Sequence, residues 1–308
     1  MSAASGHTVY VLAGPTAVGK TAVAIALAQK LHTSIISADS RQCYKEMTIG
    51  TAKPSAEELA AIKHYFINEF SATASLTAAD FENLALQYLD EIFTHSNYAV
   101  VCGGTGLYIK ALCEGLDEMP EVDEQVVYDV NTEYALNGLN WLQQRVRLED
   151  EAFFTTGENR NPARLLRALI FKRSTGTSIT NFRKGERKQR NFRCIKIGLE
   201  LSREELYARI NERVDDMMQQ GLLDEVKALY SLKDLKNLQT VGYTELFNYL
   251  DNEYNLDEAV TKIKQHTRNY AKRQMTWFRN EPDVHWISGF GNDPLVQQEA
   301  MIIAQRAV

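Results

Sequence analysis

The N-terminal segment T-V-Y-V-L-A-G-P-T-A-V-G-K-T, residues 8–21, joins an apolar run to a loop punctuated by glycines. The run Thr8–Ala13 has the β-branched, apolar character of a buried strand, and Thr21–Leu31 is alanine-rich, as in a helix. Between them, Gly14–Thr21 satisfies G-x-x-x-x-G-K-[ST], a loop whose backbone N–H groups surround phosphate oxygens. Lys20 adds a positive charge and Thr21 a hydroxyl for a metal ion, at a helix terminus that favours anions. The segment predicts a strand, a phosphate loop and a helix.

Strand and helix patterns continue to alternate after this loop. Short apolar runs at Ser34–Ser37, Tyr98–Cys102 and Ile195–Leu201 are typical of buried strands. Ala78–Phe93 has the apolar spacing of an amphipathic helix. Strands that alternate with helices predict a parallel α/β sheet flanked by helices, of the P-loop NTPase type, with ligands at the carboxyl ends of the strands.

The sequence changes character after Gly115. Residues 116–194 are charged, rich in glutamine and arginine, and lack a strong buried-strand pattern. We therefore expect an α/β core made of residues 1–115 and 195–308, interrupted by a helical insertion domain at residues 116–194.

The net charge of −6 conceals two basic islands. From Glu158 to Lys196 there are twelve Lys or Arg against two Glu, and from Lys262 to Arg279 there are six and no acidic residue. Either island alone could be an ordinary solvated helix face. Two of them on an otherwise acidic chain indicate a polyanionic partner whose phosphates require counter-charges.

Composition excludes several classes of protein. Hydrophobic residues at 44% and charged residues at 24% are ordinary globular values. The four cysteines form no C-x-x-C pair, which argues against a disulfide scaffold and a structural zinc site. We see neither an apolar run long enough to span a membrane nor a cationic signal-peptide start. We therefore expect a cytoplasmic protein that does not bind membranes.

The strand end that commonly carries a Mg²⁺-binding acid in kinases and NTPases has none here. Tyr98–Cys102 runs into G-G-T-G, residues 103–106, instead. The nearest acidic candidate is Asp39, at the end of the second predicted strand. A carboxylate there can act as a base on an acceptor group, or it can hold a metal ion through water. At this point the phosphate loop alone still allows a kinase or an NTPase.

Three motifs combine along the chain: G-P-T-A-V-G-K-T at residues 14–21, D-S-R-Q-C-Y-K-E-M-T-I-G-T-A-K-P at residues 39–54, and G-G-T-G-L-Y at residues 103–108. Together they resemble the tRNA dimethylallyltransferase (isopentenyltransferase) family. The resemblance extends through R-L-L-R-A-L (Arg164–Leu169), G-L-L-D-E-V (Gly221–Val226), V-G-Y-T-E-L (Val241–Leu246) and T-R-N-Y-A-K-R-Q-M-T-W-F-R (Thr267–Arg279). The C-terminal zinc finger of eukaryotic members is not among these residues, so the chain is similar to the bacterial form.

The resemblance implies transfer of a dimethylallyl group from dimethylallyl diphosphate to the exocyclic amine of the adenosine 3′-adjacent to the anticodon in tRNA. The leaving diphosphate would bind the phosphate loop, with Mg²⁺ near Thr21. Asp39 would be the general base, Thr105 would lie beside the reacting centre, and Lys20 and Arg213 would neutralise the leaving group. The implied diphosphate-binding residues are Gly14, Pro15, Thr16, Ala17, Val18, Gly19, Lys20 and Thr21.

By the same resemblance, the tRNA-binding residues are Asp39, Ser40, Arg41, Gln42, Thr105, Ala163, Arg164, Leu165, Leu166 and Arg167. The target base must leave the anticodon-loop stack to react, and we expect the insertion domain to clamp that loop while the core performs the chemistry. We expect a monomer. The chain departs from the family pattern at Val127, at Glu158–Asn161 and at Asn68.

Three other functions remain as alternatives. A small-molecule kinase on the same core would turn over ATP and would leave the insertion without a role. A prenyltransferase acting on free adenine nucleotides would not need such a basic surface. A non-catalytic RNA-binding module would leave the phosphate loop unexplained.

Binding of tRNA should weaken steeply with salt, since the cations of residues 158–196, with Arg268, Lys272 and Arg273, would displace counterions. Each lost phosphate contact should lower the salt slope of binding by roughly 0.7–0.9. Titrations of a charge-neutral triple variant of Arg164, Arg167 and Arg183 at several salt concentrations measure this. An unchanged slope would mean that the island is only a solvated face.

Overall fold

The computed structural model describes residues 6–306 and contains one six-stranded sheet. The strand order is β3-β2-β4-β1-β5-β6, and all pairs of neighbours are parallel. The strands are β1 (Thr8–Ala13), β2 (Ile35–Ser37), β3 (His64–Tyr65), β4 (Tyr98–Cys102), β5 (Arg193–Glu200) and β6 (Val284–Ser288). The parallel α/β sheet predicted from the sequence is confirmed. The two edge strands, β3 and β6, were not predicted, because β3 has two residues and β6 is only partly buried.

The helices in the described residues are α1 (Lys20–Leu31), α2 (Ala56–Ala61), α3 (Ala78–Phe93), α4 (Gly106–Glu114), α5 (Glu124–Glu149), α6 (Glu151–Phe154), α7 (Pro162–Thr175), α8 (Arg203–Gln219), α9 (Leu222–Ala228), α10 (Tyr243–Leu250), α11 (Leu256–Arg279) and α12 (Pro294–Arg306). Most of the helices flank the sheet, whereas α5, α6 and α7 belong to a separate unit of the chain. Capping boxes begin α3 at Thr77 and α8 at Ser202, where the side chains of Asp80 and Glu205 reach back to the cap.

The central strand β1 is buried on both faces. Val9 and Val11 belong to one apolar cluster, together with residues of α3 and α10, whereas Tyr10 and Leu12 belong to another, with α1 and α12. A parallel sheet covered on both sides requires such continuous apolar strands, which explains why β1 shows no alternation of polar residues.

The chain forms two compact units. One ends at Cys113 and resumes at Gln189, and the other is Glu114–Lys188. Arg190 belongs with the first unit, since its guanidinium donates to the carbonyls of Ala111 and Leu112 and pairs with Glu82. The observed second unit and the expected insertion, residues 116–194, differ by two residues at one end and by six at the other.

The second unit has its own core of apolar side chains from α5, α6 and α7. The buried Asp150 joins its parts: one carboxylate oxygen caps α6 at Phe153, and the other accepts from the Ser178 hydroxyl at 3.0 Å. Helix α5 departs from helical geometry at Gly138, where φ is 71°.

The ends of β2 and β4 approach each other closely. Ala38 N–H donates to the Cys102 carbonyl at 2.8 Å, and Thr105 N–H donates to the Ala38 carbonyl at 3.1 Å. A Cβ on Gly103 would lie 2.2 Å from that same Ala38 oxygen. Only glycine fits this backbone contact, which brings Asp39 and the G-G-T-G turn side by side.

Replacing Gly103 with alanine should therefore destabilise the core unit by about 1–3 kcal/mol, because the clash is with backbone atoms that cannot rotate away. The melting temperature should fall by about 2–10 °C. Gly6→Ala is the matched control, because nothing lies within 4 Å of a Cβ at Gly6. Equal melting temperatures for the two variants would show that the strand ends can separate without cost.

Candidate active site

The phosphate loop connects β1 to α1 at the carboxyl edge of the sheet. Its backbone is left-handed at Ala17, with φ of 66°, and at Gly19, with φ of 88°. Such turns direct successive N–H groups towards a common point, and the first N–H groups of α1 have no partner within the helix. The Lys20 ammonium group donates to the Pro15 carbonyl at 2.7 Å. The loop therefore has the geometry of an anion site at the start of a helix.

Two segments that are distant in the chain support this loop from outside. The side-chain oxygen of Gln274 on α11 accepts from Thr16 N–H at 2.9 Å. Gly291, after β6, donates to the Val18 carbonyl at 3.0 Å, and a Cβ on Gly19 would lie 2.7 Å from its nitrogen. Neither support was predicted from the sequence, since both join residues more than two hundred positions apart.

Two cations share the region of the loop. Burial lowers the pKa of Lys20 from 10.5 to about 8, and the neighbouring charge of Arg213 lowers it further, while Cys102 and Asp39 oppose the shift. Burial also lowers the pKa of Arg213, against the attraction of Asp39. One Arg213 nitrogen lies 3.5 Å from the Thr16 hydroxyl. A bound anion would offset the cost of holding these two cations together out of water.

Asp39 follows β2 by two residues and faces this group of charges. One of its carboxylate oxygens accepts from the backbone N–H groups of Arg41 at 2.8 Å and Gln42 at 3.3 Å. Thr105 lies at the same place, because its hydroxyl accepts from Ser40 N–H at 3.1 Å. The structure thus brings Asp39, Ser40 and Thr105 together beside the phosphate loop. The carboxylate is held in one orientation by backbone donors, as a base requires.

The segment after Asp39 is held by its own side chains. The Gln42 amide nitrogen donates to the carbonyls of Thr51 and Ala52, and its oxygen accepts from the Ser37 hydroxyl. The Arg41 guanidinium donates to the Asn237 side chain at 3.0 Å. As they stand here, Arg41 and Gln42 therefore shape the protein's own loop.

Glu225 of α9 fixes the far end of the same loop. Its carboxylate accepts from the N–H groups of Thr48, Ile49 and Gly50 at 2.8–3.0 Å and from the Tyr243 hydroxyl at 2.6 Å. Through Glu225, this network joins residues of the I-G-T-A-K-P, G-L-L-D-E-V and V-G-Y-T-E-L motifs.

Asn68, one of the departures from the family pattern, also has a structural role. Its side-chain oxygen accepts from the Lys53 ammonium group at 2.5 Å, and its backbone is left-handed with φ of 57°. Asparagine adopts that conformation more readily than most residues. The Lys53 contact needs only an acceptor oxygen, which an asparagine supplies as well as an aspartate does.

Helix α11 lines the site with residues whose roles the sequence did not reveal. Tyr270, Gln274 and Trp277 lie four and three residues apart, which is the spacing of one helix face. Burial raises the pKa of Tyr270, and the charge of Asp39 raises it further, so its phenol stays protonated near this carboxylate. A Cβ on Gly106 would lie 2.2 Å from the Trp277 indole nitrogen. The i, i+4, i+7 spacing, within the Thr267–Arg279 motif of the family resemblance, is a sequence signal that could have identified this face.

The remaining predicted tRNA-binding residues lie on α7 in the second unit. Ala163, Arg164 and Arg167 are exposed there, Leu166 is partly buried, and Leu165 is fully buried in that unit's core. The Leu165 side chain therefore serves packing. Arg164 and Arg183 both pair with Glu158, and Arg173 pairs with Glu133 and Glu149, so part of the basic island is already neutralised within the protein.

Thr21, the predicted metal ligand, is in the first turn of α1 and is partly exposed. Within residues 6–306 no group of three or more His, Cys, Asp or Glu side chains could hold a metal ion.

Among the described helices, none is both long and apolar enough to cross a membrane.

The chain is similar to known proteins both in sequence and in structure. The model of the family described as IPP transferase matches residues 42–281. The tRNA dimethylallyltransferase of Christiangramia forsetii is 45% identical over 274 residues, covering 89% of this chain and 91% of that protein. The tRNA dimethylallyltransferase 1 of Bacteroides thetaiotaomicron is 44% identical over 280 residues, covering 91% of each chain.

Solved structures are similar over almost the whole chain. The tRNA isopentenylpyrophosphate transferase of Bacillus halodurans has a TM-score of 0.71 at 34% identity, covering 98% of this chain and 96% of that one. A eukaryotic dimethylallyltransferase acting on tRNA has a TM-score of 0.77 at 25% identity, covering 98% of this chain and 77% of that one.

Affinity for inorganic diphosphate should fall as the pH rises through about 8, because Lys20 is cationic below its pKa of about 8 and neutral above it. In Lys20→Arg the cation does not titrate, so that variant corrects for protonation of the ligand. Between about pH 7.5 and pH 9 the wild-type dissociation constant should rise about tenfold relative to that of Lys20→Arg. Calorimetric titrations measure both constants, and a constant ratio would contradict the lowered pKa.

Proposed function

This chain belongs to the IPP transferase family, and from that membership and the site's geometry we propose that it is a tRNA dimethylallyltransferase. It transfers the dimethylallyl group of dimethylallyl diphosphate to the exocyclic amine of the adenosine 3′-adjacent to the anticodon. The names of its relatives support this reaction over a kinase or an enzyme of free nucleotides. The IPP transferase match begins at Gln42, so the phosphate loop supports the proposal independently of it.

One observation carries the proposal: the carboxylate beside the phosphate loop is Asp39, which follows β2, and no acidic residue directly follows β4. Asp39 acts electrostatically on both Lys20 and Arg213, whereas β4 ends at Cys102 and is followed by Gly103 and Gly104. Phosphoryl-transferring enzymes commonly have a metal-binding acid at that strand end. In an enzyme that transfers a prenyl group, the diphosphate in the loop is the leaving group. Such an enzyme needs instead a base beside the loop, which accepts a proton from the acceptor.

The reaction requires three coordinated events. The bond between the allylic carbon and the diphosphate oxygen breaks, and its electron pair leaves with the diphosphate. The adenine nitrogen bonds to that carbon, and its proton passes to the Asp39 carboxylate. Lys20 and Arg213 stabilise the charge that develops on the diphosphate, and they do so most strongly in the transition state. The loop N–H groups other than that of Thr16, which donates to the Gln274 side chain, would bind the same oxygens.

The site suits Mg²⁺ as the metal. Mg²⁺ is usually held by one or two protein oxygens together with phosphate oxygens and water, and dedicated cages of protein ligands are uncommon. The Thr21 hydroxyl, in the first turn of α1, is the protein ligand that we assign to it. When bound, Mg²⁺ would neutralise part of the diphosphate charge.

The tRNA partner is supported by cations that remain exposed. Arg167 on α7 is one of them, and Lys272 and Arg273 on α11 are others, on the helix that also carries Tyr270. Phosphates of a single-stranded loop need such counter-charges, and the unpaired target base leaves its stack at small cost. That the second unit clamps the anticodon loop, that the enzyme is a monomer, and that it acts in the cytoplasm remain predictions.

Incubation of the protein with dimethylallyl diphosphate and unmodified tRNA tests the proposed function. Mass spectrometry of the digested nucleosides should detect a five-carbon alkenyl group on one adenosine of the anticodon loop. A tRNA in which that adenosine is replaced by guanosine is the control and should stay unmodified. Absence of prenylated nucleoside with every tRNA tried, while adenine nucleotides are prenylated, would overturn the choice of acceptor.

Asp39→Asn should lower the rate of the chemical step by about 10²–10⁴. The amide keeps the size of the side chain and can still accept the two backbone hydrogen bonds, but it cannot accept the proton of the amine. Affinity for dimethylallyl diphosphate should change little. Single-turnover rates at saturating tRNA measure the effect, and Asp80→Asn at the exposed start of α3 is a control for the loss of one carboxylate. A variant that keeps more than about a third of the wild-type rate would mean that the proton leaves by another route.

A further inference from the structure

Gln274 is a buried polar side chain that joins two parts of the site. It lies on α11 with 6% of its surface exposed. Its amide oxygen accepts from Thr16 N–H in the phosphate loop at 2.9 Å, and its amide nitrogen donates to the Gly104 carbonyl at 3.0 Å. The one side chain thereby fixes the distance between the loop after β1 and the turn after β4.

The chemistry of these two bonds requires an amide. Thr16 offers a donor and Gly104 an acceptor, so the side chain between them must present one acceptor and one donor. A glutamate would turn an oxygen towards the Gly104 carbonyl, and a hydrophobic residue would leave both backbone groups buried without partners. The two fixed partners also settle which end of the amide is oxygen and which is nitrogen.

Gly104 is shaped to this amide. A Cβ there would lie 2.1 Å from the Gln274 nitrogen and 3.4 Å from its Cδ, while the next atom, the Gly14 carbonyl oxygen, is 3.9 Å away. The Gly104 backbone does not have a positive φ, so its conformation alone does not call for glycine. A side chain at Gly104 would therefore displace the hydrogen-bonded amide end of Gln274.

We propose that Gln274 is a positioning residue, which holds the diphosphate site at a fixed spacing from the acceptor site. Its oxygen accepts the hydrogen bond of the Thr16 N–H, and the Thr16 hydroxyl lies 3.5 Å from Arg213. The same contact therefore positions the loop relative to the Arg213 cation, which we assign to the leaving group. On the other side, Gly104 directly precedes Thr105, whose hydroxyl contacts the segment that carries Asp39. This inference rests on the proposed function.

The first test replaces Gln274 with methionine, which has a similar volume and forms neither bond. The KM for dimethylallyl diphosphate should rise about tenfold and kcat should fall about tenfold, because both loop geometry and spacing are lost. The KM for tRNA should change by less than about twofold. Gln265→Met, at an exposed position of the same helix, is the matched control and should behave as wild type. If Gln274→Met keeps wild-type constants below its melting temperature, the residue serves packing alone and the proposal is wrong.

A double-mutant cycle tests the pairing with Gly104. Gly104→Ala alone should displace the amide and lower kcat/KM about tenfold. In a Gln274→Ala background the space is open, and the same change should cost less than about twofold. Additive losses would show that the two residues act separately and would overturn the proposal. The cycle also covers the case in which Gln274→Met fails to fold.

Binding of inorganic diphosphate separates this inference from the proposed function. Gln274→Met should weaken that binding about tenfold relative to Gln265→Met, whether or not prenyl transfer occurs. A wild-type protein that transfers no dimethylallyl group but shows this difference would contradict the function and retain the positioning role. Equal affinities in an enzyme that does transfer would contradict the positioning role alone.

Discussion

The close approach of Ala38 and Gly103 is the contact on which the site depends. Because β2 and β4 are neighbours in a parallel sheet, their carboxyl ends lie at the same edge, beside the loop that follows β1. The Ala38 carbonyl accepts from Thr105 N–H, which leaves no room for a side chain at Gly103. A carboxylate, a hydroxyl and an anion loop from three strand ends thus share one location.

Charge then determines what this location can do. Lys20 and Arg213 are both held where burial disfavours their cationic forms, and Asp39 compensates them only in part. Such a site favours a ligand that carries negative charge, and favours it more as that charge grows. A departing diphosphate fits this requirement. Asp39, meanwhile, is oriented by two backbone N–H groups. In the proposed reaction it takes the proton of an acceptor that becomes acidic only as its new bond forms.

The sequence predicted what local patterns encode. The strand, loop and helix at residues 8–31 could be derived because apolar runs and glycines act over a few residues, and the parallel sheet followed from alternation. The backbone contacts of Gln274, Gly291 and Glu225 could not be derived, because these partners lie 170 to 273 positions away and no periodicity encodes such pairings. The sequence also did not reveal which residues of the second unit are exposed or already paired. It could not show that Leu165 is buried, nor that Glu158 pairs with Arg164 and Arg183.

Phosphorus NMR of one reaction mixture tests the central claim most directly. The mixture contains the enzyme, Mg²⁺, unmodified tRNA, dimethylallyl diphosphate and ATP. The account predicts that the signals of dimethylallyl diphosphate are replaced by those of inorganic diphosphate, with one diphosphate released for each adenosine prenylated. The ATP signals should stay constant. Conversion of ATP to ADP that depends on tRNA, with dimethylallyl diphosphate left intact, would contradict the assignment of this phosphate loop to a leaving diphosphate.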